Sequence, residues 1–164
     1  MDHSTLPALV GHWAETCPDK VWMRDLREEG SEDYTWADAN AQRNAIAAML
    51  EDRFGSGERM VVLSRNRPHW FMADLAIIAS GNVTVAMFTT LPAATADYIM
   101  DFTDTKVMFV GETANWAAVS GVLPDDITLI TLPGVDIEQP HLKWEDLLAE
   151  WQGKSPAYEC KPDD

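Results

Sequence analysis

The feature that most constrains the fold is a regular alternation between short apolar runs and longer segments with helical spacing. The apolar runs are typical of strands that are covered on both faces. The segments between them carry apolar residues three and four positions apart, as amphipathic helices do. Strands that alternate with helices indicate a three-layer α-β-α sandwich of the α/β class, with a largely parallel sheet. The strand-like runs are residues 60–63, 83–87, 107–110 and 127–132.

Local signals support the helix boundaries. Thr35 and Asp38 have the spacing of a capping box, in which each side chain bonds to the other residue's backbone amide. Pro68 suits the first turn of a helix, and Gly81 lies just past the end of the same pattern. The predicted helices span residues 6–16, 36–54, 68–79, 92–102, 113–119 and 144–151.

The N-terminal region also predicts a small β-hairpin beside the main sheet. Residues 21–26 and Tyr34 are strand-like and flank an acidic turn at 27–33, which we expect to be a solvated hairpin tip. Residues 1–153 then form one folded unit. Residues 154–164 lack periodicity and predict an exposed tail.

Charge and cysteine usage exclude several classes of function. The chain has 164 residues and a formal net charge of −15, which disfavours binding to nucleic acid or to an anionic membrane. Its two cysteines, Cys17 and Cys160, form neither a disulfide framework nor a zinc motif and suit a reducing compartment. No signal peptide or transmembrane segment is recognisable. We therefore expect a cytoplasmic protein.

Motifs for catalysis are scarce. The four histidines are scattered without metal-ligand spacing, and His69, at a helix start, is expected to lie near solvent. Gly55 and Gly57 lack the third glycine of a dinucleotide fingerprint, and there is no Walker-type loop. Asp74 borders an apolar helix stripe and is expected to be a boundary residue. The residues alone predict an acidic α/β domain without catalytic or metal-binding residues.

A collinear series of segments resembles a known family. The series reads YTWAD at 34–38, GERMVVLS at 57–64, NRPHW at 66–70, ADLAIIASGNVTV at 73–85 and KVMFV at 106–110. Its order and spacing resemble the AMP-forming acyl-CoA synthetases of the adenylate-forming superfamily. The S-x-N-R-P motif at 64–68 resembles the corresponding motif of the long-chain fatty acid branch. The resemblance is good over residues 6–110 and loose over 127–151.

The resemblance implies a two-step reaction in a much longer protein. A carboxylate attacks the α-phosphate of ATP to give an acyl-adenylate, and CoA then displaces AMP. ATP, magnesium and CoA belong to that parent protein, with a fatty acid as its substrate. The family's phosphate loop, similar to YTSGTTGxPKG, does not occur in these 164 residues.

On this interpretation the chain is the N-terminal part of a synthetase. Alone it is expected to be inactive, to bind none of those ligands tightly and to self-associate through apolar surface that the remainder of the synthetase chain would cover. Peripheral membrane association is a property that the parent could have.

The resemblance also implies one candidate site. Phe88, Thr89, Thr90 and Leu91 match a segment that lies toward the CoA and acyl channels in relatives. The competing interpretation is a plain strand-to-helix connection. Two other functions remain open at this point: a non-catalytic interaction or regulatory module built on the same core, and an unrelated acidic α/β binding domain of flavodoxin type.

Overall fold

The alternating pattern folds into a five-stranded parallel sheet with helices on both faces, and a two-stranded antiparallel hairpin lies beside it. The computed structural model describes residues 5–27 and 30–162. The predicted fold class is confirmed. The elements are α1 (Leu6–Thr16), β1 (Val21–Leu26), β2 (Ser31–Thr35), α2 (Trp36–Phe54), β3 (Arg59–Leu63), α3 (Pro68–Ala79), β4 (Val83–Met87), α4 (Ala93–Thr103), β5 (Val107–Val110), α5 (Trp116–Ser120), β6 (Thr128–Thr131), β7 (Leu142–Lys143) and α6 (Trp144–Glu150).

The strands of the main sheet follow the order β4-β3-β5-β6-β7. All four pairings are parallel, so each connection crosses over a face of the sheet. The chain moves outward from β3 to β4 through α3, and then returns past β3 to β5 through α4. In chain order this is the 2-1-3-4-5 arrangement of flavodoxin-like doubly wound sheets.

Alternate residues of each central strand enter two separate cores. Met60 and Val62 of β3 pack with α2, α3 and α6, whereas Val61 and Leu63 pack with α4 and α5. β5 divides in the same way, because successive side chains of a strand point to opposite faces. This burial on both faces explains why the strands appear in the sequence as continuous apolar runs.

The predicted capping box begins the longest helix. The Asp38 amide donates to Thr35 Oγ1 at 3.1 Å, and the Thr35 amide donates to the Asp38 carboxylate at 3.2 Å. α2 then ends at Gly55, whose φ of 76° favours glycine. Further along, α6 starts at the fully buried Trp144, whose indole N–H donates to Gln42 Oε1 of α2 at 3.0 Å.

The predicted hairpin forms, with β1 antiparallel to β2, but β2 begins at Ser31, so Glu32 and Asp33 lie in the strand and not in the turn where they were expected. Part of its acidic tip, residues 28–29, lies outside the described residues. Asp33 pairs with Arg24 across the two strands, and Glu32 pairs with Arg27. All four of these side chains are at least one-third exposed, so the ion pairs lie at the surface of the hairpin.

The segment after α6 was predicted as an exposed tail. Its described part, residues 154–162, alternates between exposed and half-buried positions. The Cys160 thiol donates to the Ile78 carbonyl at 3.2 Å, and the Tyr158 ring covers the space that a side chain at Gly81 would occupy. The segment thus differs from a fully exposed tail, because a glycine after α3 leaves a place where an aromatic ring packs.

Candidate functional site

The carboxyl-terminal edge of the main sheet is the candidate functional site. Doubly wound sheets bind ligands outside the carboxyl ends of their strands, at the crevice where the strand order reverses. Here the reversal lies between β3 and β5, because the chain continues to β4 on one side of β3 and to β5 on the other. The loops that leave β3, β4, β5 and β6 border this place.

Ser64 fills the crevice itself. It follows β3, is 5 % exposed and donates from Oγ to the Arg65 carbonyl at 2.9 Å. A Cβ added to Gly111, directly after β5, would lie only 2.0 Å from Ser64 Oγ. The Arg65 amide also donates to the Glu112 carbonyl at 3.0 Å, so the two loops are joined by their backbones. The crevice is therefore occupied by the protein's own atoms.

Arg67 connects one strand of the hairpin with two loops at this edge. Its side chain is 4 % exposed. Nη2 donates to Asp25 Oδ2 on β1 at 3.0 Å, and Nη1 donates to the Pro133 carbonyl after β6 at 2.8 Å. Nη1 also lies 3.6 Å from Glu112 Oε1. One guanidinium thus ties the hairpin to the loops after β5 and β6.

The residues of this network line a cavity of about 490 Å³. Its wall contains three guanidinium groups and two carboxylates, so the charges largely compensate one another. The Arg65–Glu112 pair is half exposed on both sides and is screened by solvent. The lining residues are Asp25, Leu26, Arg27, Arg65, Arg67, Glu112, Pro133 and Gly134.

The predicted segment Phe88, Thr89, Thr90 and Leu91 forms the turn after β4, at the same edge. The Leu91 amide donates to the Phe88 carbonyl at 3.2 Å, which closes the turn. The hydroxyl of Thr113, in the loop after β5, donates to the Thr89 carbonyl at 3.1 Å. The turn is held by its backbone while Phe88 is 80 % exposed. The loop after β5 thus contacts both this turn and the arginine network.

His69 is buried, and the expectation that it lies near solvent is wrong. It is 2 % exposed and contacts the rings of Tyr34 and Trp144 edge-on, at centroid distances of 5.2 and 5.6 Å. Burial, with a smaller contribution from the Arg67 charge, lowers the pKa of His69 to about 4. The first turn of α3 faces the core there, so a neutral imidazole packs as an aromatic ring.

Asp74 lies half-buried on α3, as a boundary residue would. Burial raises the pKa of its carboxyl group above the ordinary value. Within residues 5–27 and 30–162, no three His, Cys, Asp or Glu side chains are grouped closely enough to hold a metal ion. In the same part of the chain, no helix has the length and apolar character needed to cross a bilayer.

The sequence did not single out Ser64, Gly111, Arg67 or Asp25 as parts of this edge. Ser64, Arg67 and Gly111 lie within four residues of a strand's carboxyl end, which is the one signal that could have identified them. Nothing in the sequence links Arg67 to Asp25, because the two residues are far apart in the chain and meet only through the hairpin's position.

The comparisons with known proteins agree with the fold. Residues 10–164 match the family of AMP-binding enzymes. The chain is 29 % identical over 109 residues to the long-chain-fatty-acid–CoA ligase FadD15 of Mycobacterium bovis. The aligned stretch covers 66 % of this chain and 18 % of that protein. Fatty acyl-CoA synthetase A of Dictyostelium discoideum is 30 % identical over 91 residues, 52 % of this chain and 14 % of that protein.

A solved structure extends the likeness over nearly the whole chain. The acetoacetyl-CoA synthetase of Streptomyces lividans has a TM-score of 0.76 at 22 % identity, covering 95 % of this chain and 25 % of that one. The chain spans less than a fifth of the length of the curated relatives it matches. An unrelated domain of flavodoxin type is the wrong interpretation. The order of the strands is that of flavodoxin-like sheets, but the sequence matches the family of AMP-binding enzymes. The chain belongs to the family of AMP-binding enzymes.

Proposed function

We propose that this chain contributes the N-terminal part of the large lobe in an ATP-dependent, AMP-forming ligase of long-chain fatty acids. The main support for this proposal is the family match over residues 10–164, together with the fatty-acid ligases among the relatives of the chain. The reaction is the activation of the carboxylate as an acyl-adenylate, followed by transfer to CoA. The proposed location is the cytoplasm.

The described residues do not fit a site for magnesium or for the phosphates of ATP. Stabilising a transferring phosphoryl group requires cations and amides aimed at an open place. Here Ser64 occupies the switch-point crevice, and the arginines beside it are offset by carboxylates. No step of phosphoryl transfer is assigned to these residues. In this proposal that chemistry belongs to other parts of the longer protein.

The proposed role of this chain is to fix the shape of the carboxyl edge. Arg67 joins the hairpin to the loops after β5 and β6, and Thr113 joins the loop after β5 to the turn after β4. These bonds hold Phe88 and Thr90 outward at a defined place. We propose that this turn borders the channel for the acyl chain or for CoA.

A chimera tests the proposal. The corresponding region of FadD15 is replaced by this chain, and release of pyrophosphate and formation of acyl-CoA are measured with a long-chain fatty acid. We expect the chimera to retain both activities and the 164-residue chain alone to have neither. An inactive chimera that still unfolds cooperatively would favour the alternative, a non-catalytic interaction or regulatory module. Turnover by the chain alone would contradict its predicted inactivity.

A further inference from the structure

The outer face of α4 carries two largely exposed aromatic rings. Tyr98 is 65 % exposed and Phe102 is 76 % exposed. Their rings stack on each other, with centroids 5.8 Å apart and planes 19° apart. Ala94, one turn before Tyr98, is also exposed, so the three residues form an apolar stripe. The opposite side of the helix packs into the core through Ala96 and Met100.

Carboxylates flank this stripe on one side. Asp97 and Asp101 each precede a ring of the stripe by one position, which places both on the same flank of the helix. Both are exposed. The helix contains no lysine or arginine. The nearby Lys106 lies within 3.0 Å of carboxylate oxygens of Asp104 and Asp126.

The combination of apolar stripe and acidic flank specifies a partner. An exposed apolar stripe on a helix suits the apolar face of another helix or extended segment. Within residues 5–27 and 30–162, Asp97 and Asp101 form no ion pair, so their carboxylates favour a partner whose apolar residues are accompanied by Lys or Arg. A second copy of the same face fits poorly, because its carboxylates would meet carboxylates.

We propose that the α4 face, formed by Ala94, Asp97, Tyr98, Asp101 and Phe102, binds a basic amphipathic helix of another protein. The two aromatic rings supply the apolar contact, and the two carboxylates select the charge and the orientation of the partner. This binding is independent of the reaction proposed above, since the face does not include the Phe88 turn.

Two labelled peptides test the proposal with the 164-residue chain. Each is about 18 residues long, five helical turns. One combines leucine at helical spacing with lysine, and the other has glutamate in place of every lysine. Fluorescence anisotropy gives the Kd of each peptide. We expect saturable binding of the lysine peptide alone, weakened when salt is raised from about 0.05 to about 0.5 M.

Two double variants separate the apolar and charged contributions. Y98A/F102A removes the rings and is expected to raise the Kd at least about tenfold. D97N/D101N keeps the shape, and we expect it to raise the Kd several-fold and to reduce the salt dependence. F71A removes an exposed ring on α3, and D52N/D125N makes the same change in net charge elsewhere. Both controls should bind the peptide as the unsubstituted chain does.

Several outcomes would overturn the proposal. Equal binding by Y98A/F102A and the unsubstituted chain, with both unfolding at the same temperature, would show that the α4 face is not the site. An equal effect of D52N/D125N and D97N/D101N would show attraction to the net charge alone. A dimer in sedimentation that Y98A/F102A abolishes would assign the face to a second copy of the chain.

Discussion

Nη2 of Arg67 lies 3.0 Å from Oδ2 of Asp25, and both side chains are at least 95 % buried. Without Arg67, the buried carboxylate of Asp25 would keep only the longer contact of 3.6 Å with Nη2 of the half-exposed Arg27, and a buried charge that loses its close partner is costly. We expect R67M to lower the free energy of unfolding by about 3–5 kcal/mol. R67M/D25L, which removes both charges, should recover most of that loss. Urea unfolding of the purified variants measures both values.

The exposed pair at the same edge provides the control. Arg65 and Glu112 are also in contact, but both side chains are about half exposed. R65A should therefore change the free energy of unfolding by at most about 1 kcal/mol. If R65A and R67M cost the same, burial is not what makes the Arg67–Asp25 pair important.

The close approach of Gly111 to Ser64 predicts that the crevice does not tolerate a side chain. A Cβ at position 111 would lie 2.3 Å from Ser64 Cβ as well as 2.0 Å from its Oγ. We expect G111A to destabilise the protein by about 1–3 kcal/mol, because one of the two loops must move. G111A/S64G should regain part of this in the same urea experiment.

Gly121 offers a matched glycine. Its nearest neighbour, the Ala118 carbonyl oxygen, lies 3.6 Å from an added Cβ, and its φ of −76° suits any residue. G121A should stay within about 0.5 kcal/mol of the unsubstituted chain. A destabilisation by G111A no larger than that of G121A would rule out the steric explanation.

The periodicity of the sequence was sufficient to predict most of the fold. Consecutive apolar residues at 60–63 and 107–110 are typical of strands covered on both faces, and they form β3 and β5. β7 was missed because its two residues are too short for any pattern, and it exists through pairing with β6. The helix predicted from Thr113 starts instead at Trp116, since the Thr113 hydroxyl bonds to the Thr89 carbonyl and the Asn115 amide.

The candidate site was much less predictable. Phe88 lies at the carboxyl edge of the sheet because every βα turn does so, and its candidate role came from the family resemblance alone. The Arg67–Asp25 pair depends on how the hairpin packs on the sheet, which local patterns do not encode. His69 illustrates the same limit, since a polar residue in the first turn of a helix is usually exposed. Only the tertiary contacts with Tyr34 and Trp144 bury it.

His69 predicts a pH dependence of stability. Its pKa is about 4 in the folded protein, below the ordinary value of 6.5. Between these values the unfolded chain binds the proton and the folded chain does not, so stability falls as the pH falls from 6.5 to 4. The loss attributable to His69 is roughly 3 kcal/mol. It should disappear in H69Q when unfolding is measured at pH 7, 5.5 and 4.

The control for this titration is H12Q. His12 is partly exposed on α1, outside the buried cluster around Trp144. H12Q keeps His69, so it should retain the fall in stability at low pH that is attributed to His69. The contribution of the carboxylates is common to both variants. An identical pH profile for H69Q and the unsubstituted chain would mean that the imidazole is not kept neutral by burial.

Exposed apolar side chains at the carboxyl edge predict self-association of the 164-residue chain. Leu26 is 71 % exposed and Phe88 is 80 % exposed. Salt should strengthen the association, because it screens the repulsion between molecules of net charge −15. Sedimentation equilibrium should show a larger average mass at about 0.5 M salt than at about 0.05 M. L26S/F88S should remain monomeric at both, and a single monomeric species in the unsubstituted chain would refute the prediction.

The turn after β4 predicts a separable effect on substrate binding in the FadD15 chimera. Phe88 is exposed and its turn is held by backbone bonds, so F88A should leave the free energy of unfolding within about 0.5 kcal/mol. If the ring borders the acyl or CoA channel, F88A should raise the KM of that substrate several-fold with a smaller change in kcat. V83A, at the opposite end of the same strand and 54 % exposed, should change neither constant. Unchanged KM values for ATP, fatty acid and CoA in F88A would show that the segment is only a strand-to-helix connection.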